Sequence, residues 1–124
     1  MNFNITLTGL EDRDLETIEK TGTIKIPDGV TEIGEYAFWG LEYLTKIEIP
    51  GKVETIGKCA FDCCDNLEVV KIPKNVKKIS HDAFRGCNRL KELRIEESAV
   101  PRFAGKIELP ECTKIVAYEA EKTR

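Results

Sequence analysis

No run of apolar residues in this chain approaches the roughly 20 that a membrane-spanning helix needs, so no segment of it reads as a membrane span. No block of lysine and arginine exists either. The 19 basic and 22 acidic residues interleave along the chain and leave a formal net charge of −3. Nucleic-acid binding requires a basic footprint and finds none here. Histidine occurs once, at His81, and neither a phosphate-binding loop, a dinucleotide fingerprint nor a zinc-ligand spacing is present. The adjacent Cys63 and Cys64 lack both the Cys-x-x-Cys spacing and a companion histidine pair that a structural zinc would require. The opening stretch MNFNITLTGLEDRDLE has no basic segment followed by an apolar one, so it does not read as a secretory leader. Cys59, Cys63, Cys64, Cys87 and Cys112 make an odd count, which without a leader points to reduced thiols and a cytoplasmic location. A cell-surface location follows only if a leader has been removed.

What the sequence does contain is a repeat. Aligning IKIPDGVTEIGEYAFWGLEYLT, IEIPGKVETIGKCAFDCCDNLE and VKIPKNVKKISHDAFRGCNRLK places Pro27, Pro50 and Pro73 at a spacing of 23 residues. The same spacing relates Val30, Val53 and Val76; Ile33, Ile56 and Ile79; Phe38, Phe61 and Phe84; and Leu44, Leu67 and Leu90. Ile26, Ile49, Ile72 and Ile95 form a fourfold column. So many columns in register mean a solenoid, because no single unit can bury its own apolar edge.

Within a unit, Leu44-x-x-Ile47-x-Ile49 alternates apolar residues and reads as a strand that Pro50 ends, since proline cannot donate to a ladder. Val53-x-x-Ile56-Gly57 is a second short extended segment, and Ala60-Phe61 enters a compact turn that closes the coil at Leu67. Coils stacked one strand spacing apart, roughly 4.8 Å, turn the columns into a continuous core. At the N-terminal end, Phe3, Ile5 and Leu7 alternate as a strand. Thr8 and Glu11 fit a capping box for a helix through about Lys20, with Leu15 and Ile18 facing the stack and Gly22 stopping it. The register fails at Arg102, and Thr113 to Tyr118 offers one more strand. The expected architecture is a mainly β α/β solenoid: a strand-helix cap over residues 1–23, three coils over 24–95, and a shortened β cap with a polar tail over 96–124.

These units resemble the BspA-like leucine-rich repeats, also described as the Treponema pallidum type. The family pattern is matched at Ile49-Pro50, Val53, Ile56-Gly57, Ala60-Phe61, Cys64 and Leu67, and covers about residues 24–95. Leu41 stands at the cysteine column and Ser80 at the glycine column. The resemblance implies curved solenoids used as adhesion and protein-binding modules.

Two groups of residues are candidates for contacting a protein partner. In leucine-rich solenoids the outward residues of the main strand form the concave sheet. Here these are Thr23, Lys46, Val69 and Glu92 in one ladder and Lys25, Glu48, Lys71 and Arg94 in the next. Such mixed charges either keep the sheet soluble as cross-coil pairs or set binding specificity. The second group is aromatic: Tyr36, Trp39 and Tyr43 in the first closing turn, which either form an exposed hot spot or fold over the N-terminal helix. Cys64 and Cys87 read as small buried hydrophobes, while Cys59, aligned with Tyr36 and Asp82, reads as the most exposed thiol. With no catalytic, metal or cofactor constellation, the expectation is a non-catalytic interaction module, pictured as a small intracellular regulator or inhibitor of one protein partner, acting as a monomer or an end-to-end dimer. A fragment of a microbial surface adhesin is the alternative.

Overall fold

The computed structural model describes residues 6–7 and 9–119. In chain order these form β1 (Thr6–Leu7), α1 (Asp12–Thr21), β2 (Glu32–Ile33), β3 (Lys46–Glu48), β4 (Thr55–Ile56), β5 (Val69–Ile72), β6 (Lys78–Ile79), β7 (Glu92–Glu96), a 3-10 turn (Glu97–Ala99), α2 (Val100–Phe103) and β8 (Lys114–Tyr118). They build two parallel four-stranded sheets, a short one ordered β1-β2-β4-β6 and a main one ordered β3-β5-β7-β8. Every pairing among the repeated strands joins residues 23 apart, as in Ile33 with Ile56, Val70 with Leu93 and Ile72 with Ile95. The solenoid expected from the period is therefore the fold.

Between the two sheets lies one core. Val30, Val53 and Val76, Ile33, Ile56 and Ile79, and Leu44, Leu67 and Leu90 are all buried. The three phenylalanines stack directly, Phe38 on Phe61 at 4.9 Å with rings 2° apart and Phe61 on Phe84 at 5.4 Å and 13°. That spacing is close to one strand repeat, so the rings follow the coils rather than filling gaps between them. Cys64 and Cys87 sit in the same interior, each S–H donating to the carbonyl of the preceding coil's phenylalanine, Phe38 and Phe61 respectively, at 3.0 Å. Burial pushes both thiols up to about 12. They are buried small residues, as the column with Leu41 suggests.

Backbone hydrogen bonds also link the closing turns from coil to coil. Phe38 N–H donates to Ala60 O and Phe61 N–H to Ala83 O, both at 2.8 Å; Gly40 and Cys63 repeat this one step on, at 2.9 Å. The glycine column there has a conformational origin. Gly40, Cys63 and Gly86 have φ of 71°, 60° and 75°, a left-handed turn that costs a side chain about 1–2 kcal/mol. Cys63→Gly is accordingly expected to raise stability by about 0.5–1 kcal/mol, after the added chain entropy of glycine is subtracted. A urea midpoint equal to or below that of the wild type would contradict it. Gly57 serves a different need from the turn suggested by its sequence position: its φ is ordinary, but a Cβ there would lie 3.0 Å from Ile33 O of the coil below.

Both caps differ in detail from the sequence expectation. Thr8 lies outside the described residues, and so do Phe3 and Ile5. Helix α1 starts after Glu11, whose N–H donates to the Asp14 carboxylate at 3.0 Å. Acidic residues in its first turn and Lys20 in its last complement the helix dipole. Ile18 is buried against the stack, but Leu15 is 41% exposed, because only one narrow face of so short a helix meets the first coil. Gly22 ends the helix at φ 77° and its carbonyl accepts from Thr45 N–H at 2.7 Å, docking the cap onto the coil above. The C-terminal cap is partly helical rather than purely β: the chain turns through Glu97–Phe103 before β8 pairs with β7. Arg102, where the apolar register fails, donates to Val76 O at 2.6 Å and Lys74 O at 3.2 Å and so satisfies carbonyls of the last full coil.

Candidate functional site

Alternation along the main sheet decides which side chains face solvent. Lys46 and Glu48 point outward from β3, and they register with Val69 and Lys71 of β5, Glu92 and Arg94 of β7, and Lys114 and Val116 of β8. Above them runs a groove of about 810 Å³. Of the ladder residues expected from sequence, Thr23, Lys25, Lys46, Glu48, Val69, Lys71 and Arg94 all line it. Glu92 stands beside it, half-buried, 4.0 Å from Arg94. One expectation needs correcting: Thr23 and Lys25 belong to no strand, because the main sheet begins only at β3.

The groove is closed at its far end by a residue that the repeat did not reveal. Tyr118 reaches across β7 to donate its hydroxyl to Ile72 O at 2.8 Å, and Lys71 Nζ sits 4.9 Å over its ring. Partial burial raises the phenol pKa above its usual value. Lys71 also lies 3.5 Å from Glu48, one of the cross-coil pairs anticipated for a soluble sheet. At this exposure such a pair contributes about 0–1 kcal/mol, so it orders the surface more than it stabilises the fold. Signs are unevenly distributed. Lys25, Lys46, Lys71 and Arg94 face the groove against only Asp28 and Glu48, in a chain whose net charge is −3.

The aromatic group forms a separate surface. Tyr36, Trp39 and Tyr43 are 49%, 55% and 52% exposed, so Trp39 does not fold down over the N-terminal helix. None of the three lines the groove. The structure therefore keeps the two candidate surfaces apart.

Cys59 reverses its expectation: it is 3% exposed. Its column looked tolerant of polar residues because Asp82 occupies it, yet Asp82 is itself buried as a turn acceptor. The Asp82 carboxylate accepts from Ser80 Oγ at 2.6 Å and from Cys59 N–H at 3.2 Å. Burial and then the Asp82 charge push the Cys59 thiol up, the opposite of what a nucleophile needs. His81 is exposed and offers its backbone carbonyl to Glu108 N–H. Among the described residues no group of three or more His, Cys, Asp or Glu is arranged to hold a metal ion.

Asp82 has a measurable consequence. Donation from the Ser80 hydroxyl outweighs burial and holds its carboxyl below the ordinary value of about 3.9. A depressed folded pKa contributes stability that is present above the unfolded value and is lost as pH falls through the folded one. Asp82→Asn keeps an acceptor for Cys59 N–H but cannot titrate. The urea midpoint of the wild type should thus fall more steeply below about pH 4 than that of Asp82→Asn; parallel curves would rule the assignment out.

Two stacked parallel sheets, a 23-residue coil and a lined groove over the main sheet define a leucine-rich-type β-solenoid. The family model for the BspA type leucine rich repeat region matches residues 2–104 in six copies. The chain belongs to that family. Among solved structures it is similar to a leucine-rich repeat protein of T. pallidum, at 26% identity and TM-score 0.55, over 77% of this chain and 51% of that one. It is also similar to a leucine-rich repeat protein of Bacteroides ovatus, at 30% identity and TM-score 0.58, over 89% of this chain and 32% of that one. The chain thus spans about half or less of the length of these relatives. A search of curated proteins finds no match.

Proposed function

We propose that this chain is a non-catalytic protein–protein interaction module whose main-sheet groove receives a single protein partner. The observation that carries this reading is the groove itself, where ladder residues from four successive coils converge with a surplus of positive charge. Its size suits a contact with one protein at a time, in keeping with a small regulator or inhibitor. A cytoplasmic setting belongs to the same proposal, and the five unpaired cysteines are consistent with it.

Affinity capture from source lysate, read by mass spectrometry, tests the reading. A partner enriched by the wild type should be lost with the charge-reversed variant Lys25→Glu, Lys71→Glu, Arg94→Glu, and kept with a variant altered at Tyr36, Trp39 and Tyr43. Retention by the first and loss from the second would move the site to the aromatic turn. The second reading, a repeat segment of a longer surface protein, is favoured by the share of its relatives' length that the chain spans. Mapping the full transcript decides it: an encoded leader or further repeats support it. Light scattering on the purified chain separates a monomer from an end-to-end dimer.

A further inference from the structure

The residues that line the groove differ between its two ends. From β5, β7 and β8 only outward-facing residues of the sheet reach it: Val69, Lys71, Arg94 and Tyr118. On its near side it touches both alternating sets, the outward Lys46 and Glu48 and the inward Ile47 and Ile49, with Ile24 and Ile26 facing them. The side chains of Ile26, Ile47 and Ile49 are buried, so the groove meets these residues at their backbone. The hydrogen bonds show which backbone groups lack a partner there. Ile49 N–H donates to Lys71 O at 2.9 Å, but the equivalent bond one coil earlier, from Ile26 N–H to Glu48 O, is not made. The first coil is tied to the second where Gly22 O accepts from Thr45 and Lys46 and where Thr31 O accepts from Glu54, and no backbone bond joins residues 23–27 to β3 in between.

Strand alternation identifies the groups left facing this slot. Lys46 N–H is turned toward the first coil and Ile49 N–H toward β5, so Glu48 directs both its N–H and its C=O into the gap. Ile24 and Ile26 face it from the other lip. An unpaired edge of this kind is a template for another extended backbone. We propose that the slot between residues 23–27 and β3 binds the main chain of an extended acidic segment of a protein partner, which rests on the reading of the groove as an interaction surface. Charge selects the acidic class. Lys46 borders the slot and makes no ion pair among the described residues, while Lys25 meets only Asp28, at 4.0 Å with both side chains over 80% exposed.

The test uses the full chain and a fluorescein-labelled hexapeptide of alternating Glu and Val, followed by anisotropy and by amide exchange in NMR. In the free protein the Glu48 amide should exchange faster than the Lys71 amide, and saturating peptide should protect it. Methylating alternate peptide amides should weaken binding about tenfold, the worth of one or two lost hydrogen bonds. Lys46→Glu and a Lys/Val peptide should also bind more weakly than the wild type with the Glu/Val peptide. Equal binding of the methylated peptide would show attraction by charge alone, as any polyanion would produce, and would overturn the proposal. So would absence of Glu48 protection, or no binding at all. If the slot fails while partner capture still responds to reversal of Lys25, Lys71 and Arg94, the interaction reading stands without it; if both fail, both are lost.

Discussion

Replacing Phe61 by alanine is expected to destabilise the chain by about 3–5 kcal/mol, a large share of the roughly 5–15 kcal/mol that holds a domain folded. Phe61 is the central ring of the stack, fully buried, with Phe38 at 4.9 Å on one side and Phe84 at 5.4 Å on the other. Removing it leaves a cavity walled by two rings that cannot collapse inward, because the coil hydrogen bonds through Phe38, Ala60 and Ala83 fix the spacing. In a solenoid each coil contacts only its neighbours, so a void in the middle coil also uncouples the two ends. Urea unfolding followed by circular dichroism should show a lower midpoint, and a shallower slope if the ends unfold separately. A loss below about 1 kcal/mol would mean the rings are not the stack that ties the coils together.

The second large effect is expected at Gly86. Valine there meets two costs at once. The φ of 75° is a conformation β-branched residues avoid, and a Cβ would lie 3.1 Å from Cys63 N and 3.3 Å from Cys63 Cα. Both of these atoms are backbone, so they cannot swing aside as a flexible side chain would. Strain of about 1–3 kcal/mol and overpacking of about 1–3 kcal/mol together predict a loss near 3 kcal/mol or more. Gly40→Val is the control: its φ is 71°, but nothing lies within 4 Å of an added Cβ. It should show the strain alone, about 1–3 kcal/mol. Equal losses at the two sites, measured by urea midpoint, would remove the contact between the second and third closing turns from the explanation.

The period was legible because one physical constraint repeats: each inward column must stay apolar for coils to stack, and that leaves Val30, Val53, Val76 and their neighbours in view. What escaped was set by single residues. Asp82 made its column look solvent-facing, since composition alone cannot distinguish a hydrated carboxylate from one satisfied by Ser80 and Cys59 N–H. Tyr118 stands 23 residues beyond Ile95, the last member of a buried column, so the period alone does not place it on the outer face. The last coil is one residue short, however, pairing Tyr118 with Glu96 instead, and a one-residue change of register moves a strand residue to the other face. The slot beside β3 was hidden for a similar reason. Ile26 keeps its column and its burial, and only the missing backbone bonds show that its segment leaves the sheet. The ladder of charged residues was visible throughout, because alternation around Ile47, Val70 and Leu93 leaves no other face for Lys46, Lys71 and Arg94.

Site-specific photocrosslinking tests the central claim most directly. A photoreactive phenylalanine analogue is placed singly at Lys71 in the groove, at Trp39 in the aromatic turn, and at Lys74 on the turn beyond β5, in the full chain within its source lysate. The groove account predicts one dominant crosslinked protein from position 71 and little from 39 or 74. Equal yields from all three positions, or a product only from position 39, would contradict it.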